Sequence, residues 1–249
     1  MTWGPTLADE GTTFRLWAPD RDTVTLEIAD GDAVPMTPEQ EGWFSAKAPV
    51  GDGARYRFRL ADDLTVPDSA ARAQHGGVHG WSVVVDPDAY AWRTPDWRGR
   101  PWEEMVIQEV HVGTLGGFAG VADHLPAIAA LGITAIELMP VNAFGGTRNW
   151  GYDGVLPYAP AESYGTPDEL KTLVDRAHEL GLAVVLDVVY NHFGPDGNYL
   201  GAYAKGLLPP RSRHPLGRRG RGRPGAGPPL FRRQRVDVAE RVQVRRSPL

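Results

Sequence analysis

Three apolar runs constrain this chain more than any other feature: MVIQEVHV (105–112), ITAIELMPV (133–141) and LAVVLDVV (182–189). Each is short, rich in β-branched residues, and lacks the apolar/polar alternation of a strand with one wet face. Such strands are buried on both faces of a parallel sheet. The segments between them suit crossover helices. GVADHLPAIAALG (120–132) places Val121, Leu125, Ile128 and Leu131 on one helical face. TPDELKTLVDRAHELG (166–181) offers Thr166 as N-cap, Pro167 at the first position, acids in the first turn and Gly181 at C′. The order is β-α-β-α-β, the pattern of a parallel α/β architecture. There, functional groups collect at the C-terminal ends of the strands. Glu109 and His111 fall near the end of the first strand, and Asp187, Asn191 and His192 at the end of the third. The competing reading, in which Asp187 and His192 only cap a strand, weakens when several polar ends converge.

The first ninety residues read differently. TTFRLWA, TVTLEIA and ARYRFRL alternate apolar with polar residues, and Gly, Pro and Asp clusters separate them. Short strands with frequent turn signals and no 3.6-residue period predict an immunoglobulin-like β-sandwich over 1–88. Residues 89–103, rich in Pro and Trp, form a linker packed against something. Residues 104–204 hold the parallel β/α units. The 249 residues contain no cysteine, which excludes disulfides, thiolate metal sites and a Cys nucleophile and fits a reducing cytoplasm. The N-terminus lacks a basic segment followed by an apolar core, so no signal peptide is expected. No apolar run approaches the roughly 20 residues of a membrane span. GGFAG and GPDGN are turns, not phosphate loops.

The net charge of −5 hides a split. Residues 1–204 carry 13 Lys and Arg against 29 Asp and Glu, whereas residues 205–249 carry 13 against 2. Taken at face value the tail is a basic, disordered Arg/Pro/Gly segment that would bind polyanions.

DVVYNH (187–192) resembles a signature of the α-amylase family of glycoside hydrolases. GITAIELMPV is similar to that family's second-strand motif, and NWGYDG (149–154) to its aromatic segment. FRLWAP resembles the sandwich domain that precedes the barrel in several members. The resemblance implies the first three β/α units of a TIM (β/α)8 barrel, left incomplete. VHVGTL, TRNWGYDGVLPYAP, YGTPDELKTLVD and DVVYNHFGPDGNYL look most like members that release trehalose from maltooligosyltrehalose; glycogen branching and debranching enzymes diverge after the aspartate or after NWGYD. It further implies Tyr152 as the flat ring under the reacting glucose, Trp150 in the same wall, and Asp153 on sugar hydroxyls or ordering its loop. His192 would bond a hydroxyl of that glucose, Asp187 would orient neighbours, and Asn191 would be structural, while Glu109 has no mapped catalytic role. The implied partner is maltooligosyltrehalose or another α-glucan oligosaccharide, with no metal or organic cofactor, nucleic acid or membrane; oligomeric state is left open.

In this family the nucleophile and the acid/base sit on strands four and five, and retaining glycosidases need both carboxylates. Neither has a counterpart here, so the chain itself is expected to be inactive. A one-base shift of a permissible codon string for VDVAERVQVRRSPL reads Leu-Met-Trp-Leu-Ser-Glu-Tyr-Arg-Phe-Asp-Gly-Leu-Arg, which resembles the approach to that nucleophile. The tail is therefore read as frameshifted, with a non-catalytic α-glucan-binding fragment as the rival from another functional class.

Overall fold

The computed structural model describes residues 3–207 and the backbone of 243–245. Two antiparallel sheets form its N-terminal part. One runs β1 (Thr6–Ala8), β2 (Gly11–Trp17), β6 (Trp43–Ala48), β5 (Thr37–Pro38). The other runs β4 (Ala33–Pro35), β3 (Val24–Ile28), β7 (Arg55–Leu60), β10 (Trp81–Val83), β9 (Ala73–His75), with β8 (Thr65–Val66) also on β7. Alternation decides the inner faces: β2 buries Thr12, Phe14 and Leu16, and β7 buries Tyr56, Phe58 and Leu60. Phe14, Leu16, Tyr56, Phe58 and Leu60 meet in one core with Val24, Leu26 and Phe44.

The parallel sheet follows in the order β11 (Ile107–Val110), β12 (Ala135–Leu138), β15 (Ala183–Asp187), β16 (Gln243–Arg245). Helix α1 (Gly117–Ala130) joins β11 to β12, and α2 (Pro167–Glu179) precedes β15. Between β12 and α2 stands a small hairpin of β13 (Asn142–Ala143) and β14 (Leu156–Pro160). Val110, Ile136, Leu138 and Val184 turn to one face and pack on Val121, Leu125, Leu173 and Ala177 of the helices. Helix α2 begins as its sequence demands, with a reciprocal capping box between Thr166 and Glu169. Gly181 takes φ 73°, the left-handed geometry that stops the helix.

Two expectations are corrected. Leu131 does not join the buried stripe of α1. The helix ends at Ala130, and Leu131 is 79% exposed beside the Gly132 turn. The parallel set is also not limited to three strands. β16, from the tail, lies parallel to β15 with Leu186 opposite Val244, giving the bare edge of β15 a partner for its N–H and C=O groups. The sheet remains open. The rest of the tail, 208–242 and 246–249, with the disorder, frameshift and polyanion readings placed on it, lies outside the described residues.

The segment after the third strand has an unexpected destination. A short helix α3 (Leu200–Tyr203) inserts Leu200, Tyr203 and Ala204 into the sandwich core. Asp20 N–H donates to the Tyr203 carbonyl at 3.3 Å, and Arg21 Nε to the Ala202 carbonyl at 2.8 Å. Two such buried side chains contribute about 1.5–3 kcal/mol each. The linker wraps α2 from outside. Trp97 stacks on His178 at 4.4 Å, and the buried Asp175 accepts from Tyr90 Oη, Arg93 N, Thr94 N and Thr94 Oγ1 at 2.6–3.1 Å. Among the described residues no helix is long and apolar enough to cross a membrane.

Candidate active-site mouth

Parallel register brings carboxylates together at the C-terminal ends of the strands. Glu109 on β11 sits opposite Glu137 on β12, and Glu137 opposite Val185 on β15. Asp187 lies two residues beyond Val185, so period-two alternation puts it on the same face, away from the helices. Three acids on three adjacent strands thus line one end of the sheet.

Tyr152 stands among them. Partial burial, then the negative charges of Asp187, Glu109 and Glu137, raise its hydroxyl above the ordinary phenol value. The residue is still 44% exposed. An open aromatic face ringed by acceptors suits the apolar side of a sugar, whose hydroxyls project outward. Trp150 is 74% exposed, its ring 6.0 Å from that of His111.

Backbone geometry fixes the loop that carries these rings. Asn149 Oδ1 accepts from Gly151 N at 2.5 Å, while its carbonyl accepts from His111 Nε2 at 2.6 Å and Tyr164 Oη at 3.3 Å. His111 Nδ1 accepts from the Thr114 amide at 3.0 Å. Nε2 must therefore carry the proton it gives to Asn149, which sets the tautomer. Gly151, at φ 101°, lies so close to β12 that a Cβ would sit 2.7 Å from the Pro140 carbonyl oxygen. At Gly194 a Cβ would collide with the Asp153 carbonyl oxygen, and Gly194 N donates to the Gly154 carbonyl at 3.1 Å. The loops 149–154 and 191–194 are therefore held backbone to backbone.

His192 completes this clasp. Its Nε2 donates to the Tyr152 carbonyl at 2.8 Å, and its Nδ1 meets the Asn191 side chain at 3.0 Å. With Nε2 donating, a neutral ring needs Nδ1 as acceptor, so the Asn191 amide turns its NH₂ group toward it; the opposite amide orientation pairs with a charged ring. Both ring nitrogens are occupied by protein, so here His192 ties Tyr152 to the third-strand loop. Asp153 is exposed on the same turn. The structure thus gathers Trp150, Tyr152, Asp153, Asp187, Asn191 and His192 at one mouth. It adds Glu137, which sequence reasoning passed over although it is the lone charge in an apolar strand, and Tyr164, which pins the loop.

The α-amylase catalytic domain matches residues 66–208, more than half of the sequence. The chain belongs to the α-amylase family. That family is one of glycoside hydrolases, and its match begins within the sandwich, at β8. The chain is 49% identical over 197 residues to malto-oligosyltrehalose trehalohydrolase of Deinococcus radiodurans, an alignment covering 78% of this chain and 32% of that protein. It is 33% identical over 219 residues to the 1,4-alpha-glucan branching enzyme GlgB of Burkholderia thailandensis, covering 78% of this chain and 26% of that enzyme. A provisionally assigned alpha amylase from Salmonella typhimurium superposes with a TM-score of 0.83 at 47% identity, covering 87% of this chain and 38% of the other. The chain thus spans about a third of the length of the trehalohydrolase it matches.

Proposed function

We propose that this α-amylase family chain is the N-terminal part of a glycoside hydrolase that cleaves the α-1,4 bond next to the terminal trehalose of maltooligosyltrehalose, releasing trehalose. The observation that carries the reading is the 49% identity to a trehalohydrolase, against 33% to a branching enzyme, over alignments of similar length. The reading makes the N-terminal sheets an immunoglobulin-like sandwich, and β11, β12 and β15 the first three strands of a (β/α)8 barrel. We place the protein in the reducing cytoplasm, in keeping with a chain that has no cysteine.

In this mechanism Tyr152 seats the reacting glucose, and Trp150 extends the wall. Glu109, Glu137 and Asp187 create a negative field that favours the cationic character growing at the anomeric carbon. They supply neither in-line attack nor proton donation. Those steps belong to two carboxylates that the family carries on strands four and five, and the described residues offer no counterpart. The 249-residue chain alone is accordingly inactive.

The test is a chimera in which residues 1–204 replace the matching part of the Deinococcus radiodurans relative. We expect trehalose release from maltooligosyltrehalose to exceed hydrolysis of plain maltooligosaccharides. Preferential cleavage or branching of plain α-glucan would overturn the specificity.

A further inference from the structure

A groove of about 410 Å³ opens between the sandwich and the barrel loops, walled by the turn after β9, the loop after β13 and residues 161–163 after β14. None of the residues assigned to the mouth lines it. Its volume falls in the roughly 300–1,000 Å³ range of ligand clefts, which favour junctions between packed units.

The walls narrow the chemistry. Glu162 is held by the amides of Gly76 at 3.3 Å and Gly77 at 2.8 Å, one to each carboxylate oxygen. Each oxygen keeps acceptor capacity, so the oriented carboxylate can receive two neighbouring hydroxyls. The hydroxyls of Thr147 and Ser163 add donors and acceptors on the lining. Gln74, 7% exposed, donates through Nε2 to the Gly77 carbonyl at 3.3 Å, while its Oε1 is buried with no hydrogen-bond partner. Through Nε2, Gln74 thereby helps hold the Gly76–Gly77 turn that grips Glu162. Phe144 and Val78 supply an apolar floor. Hydroxyl partners above an apolar floor match the two-sided character of a pyranose ring. Among the lining residues Glu162 alone carries a fixed charge, and that charge disfavours phosphate and carboxylate ligands.

We propose that this groove is a second sugar-binding site, separate from the mouth, that takes a neutral α-glucan segment of about two units. The choice of α-glucan rests on the function proposed above; the groove's preference for neutral, polyhydroxyl ligands does not. The sandwich then contributes to glucan capture, because its Gly76 and Gly77 amides orient the Glu162 carboxylate.

Saturation-transfer NMR on the 249-residue chain tests this with maltose, maltotriose and, as anionic control, glucose 6-phosphate at millimolar concentration. We expect transfer to both maltooligosaccharides in the wild type and in Tyr152→Ala, and none to glucose 6-phosphate. In the Tyr152→Ala background, Thr147→Trp, which fills the groove, should lower the remaining transfer at least about fivefold, and Glu162→Gln should lower it as well if the tryptophan disturbs folding. Undiminished signal in both groove variants, no signal in the wild type, or preference for glucose 6-phosphate would each overturn the proposal. So would loss of binding in Tyr152→Ala, which would make the mouth the sole site while leaving the glucan reading intact. The chimera assay decides that reading independently.

Discussion

Tyr152 owes its position to its neighbours' backbones more than to its own packing. Asn149, Gly151 and the His192 clasp hold the loop, and the ring stays largely open. In the trehalohydrolase chimera, Tyr152→Ala should therefore cut the rate about 10–100-fold, as expected when a positioning contact is lost, with little change in melting temperature. A parallel loss of fold would make Tyr152 a core residue instead. Asp68 behaves in the opposite way. Burial raises its carboxyl to about 6, against the opposing bonds from the Ala70 amide and Tyr56 Oη and the charge of Arg72. An unfolded aspartate titrates near 3.9. The folded state thus holds the extra proton between those values, and this group adds stability as pH falls from 7 toward 4. Urea unfolding should show about 1 kcal/mol more stability from this group at pH 5 than at pH 7. Asp68→Asn should remove that increment. An unchanged pH dependence in the variant would show that Asp68 is not its source.

At the scale of elements, α2 was readable because every cue is local: cap, proline, first-turn acids and terminal glycine lie within one segment. What covers α2 was not readable. The linker's Pro and Trp residues signalled packing without naming a partner, since Asp175 lies more than 80 residues from Tyr90, Arg93 and Thr94. Burial raises the Asp175 carboxyl, but hydrogen bonds from Arg93, Thr94 and Tyr90 outweigh it and hold it below the usual value. Its contribution is present above the unfolded pKa and disappears as pH falls through the folded one. Asp175→Ala should cost about 2–4 kcal/mol, and the Trp97 fluorescence that reports stacking on His178 should shift to that of a solvated indole. A native-like Trp97 signal would show that the linker is anchored elsewhere. Gly194→Ala should disturb the 149–154 loop through the Asp153 carbonyl while leaving the sandwich melt unchanged; amide exchange of the two regions separates these effects.

For the whole molecule, α3 matters most. The sandwich core contains Leu200, Tyr203 and Ala204, so the N-terminal sandwich is completed by a segment that follows the third parallel strand. The chain cut after residue 195 should lose several kcal/mol, since it gives up at least two buried side chains worth about 1.5–3 kcal/mol each. Limited proteolysis of the intact chain should leave a fragment that retains the segment through Leu207. A stable fragment ending near residue 100 would show that α3 does not help hold the sandwich. The open parallel sheet also predicts no turnover of maltooligosyltrehalose by the 249-residue chain, measured as trehalose released. Turnover abolished by Asp187→Asn would reverse the roles assigned here.

Periodicity and capping alone determined three of the antiparallel strands, the two long helices, the parallel strands and the placing of Asp187 and His192 at a strand end, while Tyr152 came from the family resemblance. Each follows from interactions among residues a few positions apart, or from alternation within one strand. Tertiary structure alone decided that Glu137 joins Glu109 and Asp187, because register between strands sets which side chains share a layer. It alone decided that His192 gives one ring nitrogen to Asn191 and the other to the Tyr152 carbonyl, that Leu131 escapes the core, and that β16 occupies the edge of β15. The insertion of α3 into the sandwich was equally hidden: burial pairs surfaces by shape and area across some 180 residues, and no local pattern in the sequence encodes that distance.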